Sequence, residues 1–188
     1  MNTKLKKRQR SDYLHASRLS FWMTNLMHDN SLLPLLRNPY KALQTAGLKP
    51  GQKVLEVGCG PGFFTIPAAK IVGKEGLIYA IDVNPRAVKK VEEKMRKYGI
   101  NNISPILGNA AHSGLPDESI DLAFVFGLRY IADGLGNLIS EICRILKVRG
   151  VLSFEKTTGS ADKLIEEVKR VGFVQTDRKG RVFVFEKR

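Results

Sequence analysis

Three glycines on alternate positions, Gly58, Gly60 and Gly62, follow the run Val54-Leu55-Glu56-Val57 and lead into a helical pattern. A strand that empties into glycines lets backbone pass close to a ligand where a Cβ would collide. The helix beyond offers unpaired N–H groups and the positive end of its dipole, which suit a carboxylate or phosphate. Asp82 closes the next apolar run, 20 residues past Gly62. In a doubly wound fold a carboxylate there accepts hydrogen bonds from ribose hydroxyls, which points to an adenosine-like ligand. Asp82 could instead cap the following helix, but Asn84, directly ahead of Pro85, is better placed for that.

The spacing excludes two other nucleotide sites. A dinucleotide fingerprint needs its third glycine five positions after the first, where this chain has Phe63, and no Gly-Lys-Ser/Thr follows to make a P-loop. An amino-acid-bearing nucleoside fits better. Glu56, inside the strand, can attract an ammonium group while the turn's N–H groups receive a carboxylate. An unpaired carboxylate buried in a strand would otherwise cost several kcal/mol.

The elements that must position these residues are legible from residue 53 onward, where short apolar runs alternate with helical patterns, the mark of a parallel sheet wrapped by helices. Strands are expected at 54–57, 77–81, 103–107, 122–126 and 150–155, with helices at 61–72, 85–98, 135–146 and 161–171. Pro105 suggests an edge position for the third strand, and the uninterrupted apolar character of the fourth suggests a central one. Residues 173–177 and 181–186 are expected to pair as a hairpin around Lys179-Gly180. Upstream, 39–46 reads as a short helix ended by Gly47, and Phe21-Trp22-Met23 with Leu26 and Met27 would form an apolar face.

Glu56-x-Gly58-x-Gly60-x-Gly62 resembles motif I of the class I S-adenosylmethionine-dependent methyltransferases. The resemblance continues through Asp82, Gly108-Asn109-Ala110, Leu115-Pro116 with Ser119-Ile120-Asp121, and Glu141-Ile142-x-Arg144-Ile145-Leu146-Lys147. It spans roughly residues 47–186 and is nearest to the small-molecule branch that includes ubiquinone and menaquinone biosynthesis methyltransferases. It implies an α/β, Rossmann-like doubly wound sheet of seven strands, order 3-2-1-4-5-7-6 with strand 7 antiparallel. Residues 48–188 would form the S-adenosylmethionine-binding domain. Residues 1–47 would form a helical N-terminal extension and candidate acceptor lid, with a basic tail at 1–10.

The resemblance also assigns roles. The backbone around Gly58 and Gly60 would hold the methionine portion, Asp82 the ribose hydroxyls, and Val83 one face of the adenine. Where the family usually has an aspartate for the adenine amino group, this chain has Asn109, whose amide oxygen can still accept. Ala110 would offer its N–H to the ring, and the backbone at Phe126 and Gly127 would meet the methionine amino group. Methyl transfer from a sulfonium is an in-line displacement that alignment alone accelerates greatly, so no universal catalytic residue is expected. His112 and Tyr130 are weak candidates for proton transfer or acceptor orientation, with Arg129 beside them; the family often has His near the latter pair. His15 and His28 depend on how the N-terminal segment folds.

Composition narrows the function classes. Of 188 residues 43% are hydrophobic and 26% charged, an ordinary globular balance. No apolar run reaches the length of a membrane span, and the basic N-terminus lacks the apolar stretch of an export signal, so a cytoplasmic protein is expected. Two cysteines make neither a disulfide framework nor a metal cluster, and no metal is expected. The net charge is +13, and residues 1–50 hold nine basic and two acidic side chains. The expected partner is a small-molecule methyl acceptor. An RNA methyltransferase using the basic surface is an alternative, although no aromatics interleave with the basic tail. A cofactor-binding module without turnover is a third reading.

Overall fold

The computed structural model describes residues 38–128, 131–157 and 160–188. The Trp-Met cluster, the basic tail, His15, His28, Arg129 and Tyr130 therefore lie outside the described residues. Helix α1 (Pro39–Thr45) begins where Asn38 caps it, the side chain accepting from the Lys41 N–H. The chain then alternates β1 (Lys53–Val57), α2 (Thr65–Val72), β2 (Leu77–Asp82), α3 (Pro85–Tyr98), β3 (Ile103–Leu107) and a 3-10 turn at Ala110–His112. There follow β4 (Ile120–Val125), α4 (Leu135–Ile145), β5 (Leu146–Glu155), α5 (Ala161–Arg170), β6 (Phe173–Lys179) and β7 (Val182–Lys187).

The seven strands lie in the order β3-β2-β1-β4-β5-β7-β6. β1 to β5 are mutually parallel, and β7 runs antiparallel to both neighbours. Pro105-bearing β3 is an edge strand, as expected, because proline has no N–H to donate to a further neighbour. Ile120, Leu122, Ala123, Phe124 and Val125 of β4 are all buried, as a strand covered on both faces requires.

Side chains alternate between two apolar layers. Leu55 and Val57 point to the layer of α4 and α5, with Leu138, Ile139, Ile142 and Val168. Val54 points to the layer of α1 and α2, with Leu43, Phe63, Phe64 and Val72. Leu43 and Ala46 are fully buried, so α1 is part of this core. Glu56 shares the Val54 side of the strand by the same alternation, which places a carboxyl inside an apolar layer.

Element ends differ from expectation by up to four residues, and three of the differences have a local cause. α2 starts at Thr65 rather than 61, because the chain is still turning through Pro61–Phe64 with Gly62 at φ +86°, a left-handed conformation that no helix contains. β5 starts at Leu146, with a register shift against β4 between Ile120 and Leu122 where Arg149 (φ +64°) and Gly150 bend the strand. The hairpin turn falls on Gly180-Arg181, one residue later than read, since Gly180 supplies the positive φ of +60°.

Candidate functional site

The strand order reverses at β1, which pairs with β2 on one side and β4 on the other. Crossovers leave β1 and β4 in opposite directions, so a crevice opens beyond their C-terminal ends. The register makes those ends level: Val57 lies opposite both Ile81 and Val125, and Asp82 opposite Leu107. The described site candidates lie at the C-terminal ends of these four strands, as Glu56 and Asp82 do, or on the loops that leave them, as do the glycines, Val83, Asn109, Ala110, His112 and Phe126.

The first wall is the glycine turn. Gly58 and Gly60 have φ of +74° and +51°. The Gly58 and Cys59 N–H groups both donate to the Ile81 carbonyl, which locks the turn to the end of β2. A Cβ on Gly58 would come within 2.5 Å of Leu128, whereas a Cβ on Gly60 would project into open space. The turn thus presents bare backbone at Gly60, the cradle a ligand would fill.

Asp82 faces this turn. Its carboxylate accepts from the Gly60 N–H at 2.9 Å and from the Asn84 N–H at 2.8 Å. A carboxylate at this place is an acceptor of the kind a vicinal diol requires. The division of labour with Asn84 is as expected: Asn84 caps α3 by accepting from the Arg86 N–H. Val83, 41% exposed, offers an apolar surface beside the carboxylate.

Glu56 closes the back of the crevice. It is 2% exposed, and its Oε2 makes no hydrogen bond of normal geometry among the described residues, although the Thr65 hydroxyl at the start of α2 is close enough to act on it. Burial pushes the Glu56 carboxyl up to about 8 against the downward pull of the Thr65 hydroxyl, and the nearby negative charge of Asp82 adds to the rise. A buried, orphaned acceptor is costly unless something supplies the missing donor, and an ammonium does so. Burial also raises the Cys59 thiol well above its ordinary range, which makes it an inert packing residue of the turn.

The opposite wall is built from side chains. Asn109 donates through Nδ2 to Asp133 Oδ2 at 2.7 Å and accepts through Oδ1 from the Ala111 N–H at 3.0 Å. These bonds fix its amide orientation and leave one lone pair on Oδ1 for an adenine amino group. Ala110 is buried beneath this loop. His112 Nε2 lies 3.5 Å from the same Asp133 oxygen, with its side chain 73% exposed. Phe126 turns its ring into the core against Phe64 and Phe124, and Glu155 accepts from the Gly127 N–H.

Sequence reasoning missed Asp133, which ties the loop after β4 to the loop after β3. Its positive φ of +61° ahead of Gly134 and α4 is a turn signal, but its partner lies 24 residues away and no periodicity connects them. It also missed that Glu141 and Arg144 buttress the loop after β3. Glu141 accepts from the backbone and hydroxyl of Ser113, and Arg144 clamps Glu141, Asp117 and the Leu115 carbonyl. The Arg144 guanidinium, with help from Ser113, holds the Glu141 carboxyl down at about 2. No group of three or more potential metal ligands occurs among the described residues, and none of their helices is long and apolar enough to cross a membrane.

A seven-stranded sheet of this order, with a glycine turn after β1 and a carboxylate after β2, defines the Rossmann-like class of S-adenosylmethionine-dependent methyltransferases. The chain belongs to the methyltransferase domain family, whose pattern it matches over residues 48–180. It is 34% identical over 110 residues to the demethylmenaquinone methyltransferase of Geobacillus stearothermophilus, covering 58% of this chain and 47% of that one. It is 34% identical over 119 residues to the ubiquinone/menaquinone biosynthesis C-methyltransferase of Shewanella piezotolerans, covering 61% and 47%. The chain thus spans about half the length of the curated relatives it matches. A solved S-adenosylmethionine-dependent methyltransferase from Aquifex aeolicus superposes with a TM-score of 0.70 at 27% identity, covering 84% of this chain and 92% of that one.

Proposed function

We propose that this chain binds S-adenosylmethionine across the ends of β1, β2 and β3 and transfers its methyl group to a small organic acceptor. The observation that carries the reading is the buried Glu56 carboxyl, its Oε2 without a hydrogen bond of normal geometry, behind a turn of bare glycine backbone. A phosphate-bearing dinucleotide would gain nothing from a carboxyl there, whereas the ammonium of a methionine moiety supplies the missing donor. Asp82 would take the ribose hydroxyls, Val83 the adenine face, and Asn109 Oδ1 with the Ala110 backbone the adenine edge. The cofactor, when bound, supplies an electrophilic methyl on a good leaving group.

What the chain's own residues contribute is alignment. The Gly60 N–H bond to Asp82 and two backbone bonds to Ile81 hold the turn in place before any ligand arrives. Such pre-orientation can supply roughly 7–11 kcal/mol of a barrier. The reading assigns no general base among the described residues, because His112 is mostly in solvent and its ionic neighbour is Asp133. Residues 1–37 join α1 at Asn38 and are the proposed cover for the acceptor.

The similarity to quinone-biosynthesis methyltransferases makes demethylmenaquinone-type hydroquinones the first acceptors to test. The experiment is calorimetric titration with S-adenosylmethionine, followed by transfer of a labelled methyl group across an acceptor panel. Binding with transfer to a hydroquinone or another small molecule is expected. Absence of cofactor binding would overturn the site, and binding without transfer to any acceptor would leave a non-catalytic module.

A further inference from the structure

Asn109 can face a base in two ways. A carboxylate offers an acceptor whichever way it turns, but an amide offers an acceptor on one side and a donor on the other. Half a turn of the amide plane exchanges Oδ1 for Nδ2 with almost no change of shape. Which atom meets a ligand is therefore decided by whatever else the amide touches. Oδ1 accepts from the Ala111 N–H at 3.0 Å, and Nδ2 donates to Asp133 Oδ2 at 2.7 Å. The first bond is local, spanning two residues at the start of the 3-10 turn. The second reaches 24 residues on, to the loop ahead of α4. Its acceptor is a carboxylate, and its length is that of a charge-assisted bond, roughly twice as strong as a neutral one.

Asp133 is held in turn by the helix it precedes. Its φ of +61° and the φ of +84° at Gly134 lead the chain into α4, and the Asn137 side chain donates to the Asp133 carbonyl at 3.0 Å. Turning the Asn109 amide over would set Oδ1 against the Asp133 carboxylate and Nδ2 against the Ala111 N–H, two contacts between like poles. Without the carboxylate, only the Ala111 contact would oppose that turn. We propose that Asp133 is a positioning residue for cofactor specificity: it holds the Asn109 amide oxygen toward the base, so that the site reads a purine by its 6-amino group. The proposal rests on the reading of the crevice as an S-adenosylmethionine site and adds the residue that sets its choice of base. A 6-amino group donates to Oδ1. Hydrogen at that carbon leaves the oxygen unmet, and a 6-oxo group sets a second acceptor against it.

The test compares, by calorimetry on the full chain, S-adenosylhomocysteine with its analogue bearing hydrogen in place of the 6-amino group. The native chain should bind the amino-bearing ligand about tenfold more tightly, the worth of one hydrogen bond. Asp133→Gly removes the carboxylate at a φ that glycine adopts freely. In that variant the preference should fall below about threefold, while affinity for the deaminated analogue stays within about threefold of native. Asp133→Asn keeps an oxygen for Nδ2 to reach and should retain the preference within about twofold. Asn109→Ala has no amide to orient and should abolish it. A loss of affinity shared equally by both ligands in Asp133→Gly would show a merely structural role and overturn the proposal. An undiminished preference in Asp133→Gly would overturn it too; if Asn109→Ala still abolished the preference, the cofactor reading would stand. Tight binding of both ligands by the native chain without preference would overturn the proposal and leave the cofactor in the crevice. Binding of neither would remove the cofactor reading and the proposal together.

Discussion

The two walls of the crevice are built differently. The wall after β1 and β2 is held by backbone N–H groups that donate to the Ile81 carbonyl and the Asp82 carboxylate, over a buried carboxyl. The wall after β3 and β4 is held by a chain of side chains, Asn109 to Asp133 to His112, whose bonds lengthen from 2.7 to 3.5 Å as it reaches solvent. Backbone bonds survive most substitutions, because every residue but proline carries the same donor. Side-chain bonds survive only substitutions that preserve the donor and acceptor. The first wall is therefore a fixed template, and the second depends on the particular side chains that build it.

The sharpest way to break this contrast is to remove the carboxylate from the template. Asp82→Ala deprives two N–H groups of their acceptor and the proposed ribose of its anchor. Charged hydrogen bonds are worth roughly 1.5–3 kcal/mol each, so cofactor affinity should fall by about 3 kcal/mol, on the order of 100-fold by calorimetry. An affinity within threefold of the native value would remove Asp82 from the site.

Glu56 under the same wall gives an effect on stability rather than affinity, and it depends on pH. The folded carboxyl titrates at about 8 and the free group at 4.5. The folded chain thus holds one more proton between those values. Its contribution is fully present below about pH 4.5 and is lost as pH rises through 8, by on the order of 4–5 kcal/mol at the upper end. Urea melts should show this slope, and Glu56→Gln should flatten it. Pairing with the cofactor's ammonium would ionise the group, so binding at pH 7 should release close to one proton. A binding enthalpy independent of the buffer's ionisation heat would mean that Glu56 does not meet the ligand.

The template was also the part most legible in sequence. Its signals are local: glycines on alternate positions, an acid at a strand end, Asn84 before Pro85. The sheet was readable for the same reason, since apolar runs and caps such as Gly99 at φ +63° act within a few residues. The second wall was not, because Asn109 with Asp133 and Ser113 with Glu141 are pairs separated by 24 and 28 residues that only the folded sheet brings together. The start of α2 was misread because a proline at 61 imitates a helix start, while Gly62, one residue later, holds a left-handed φ that postpones it.

Smaller effects test the second wall. Asn109→Asp sets a carboxylate against the Asp133 carboxylate where an amide now donates at 2.7 Å. Stability should fall by about 1–2 kcal/mol, and Asp133→Asn in the same chain should restore at least half of it in a double-mutant cycle of thermal melts. Cofactor affinity should change less than tenfold. A loss equal to that of Asp82→Ala would show that the two walls do not differ in kind.

The outermost link should matter least. His112 is 73% exposed and 3.5 Å from its partner, so the pair is worth little in water. His112→Ala should cost less than about 0.5 kcal/mol of stability and leave methyl-transfer turnover within threefold on whichever acceptor is found. A lost general base costs roughly 100-fold or more. A fall of that size, confined to turnover and sparing cofactor affinity, would mean that the second wall carries a step of the chemistry, with Asp133 orienting the imidazole rather than merely closing the loop.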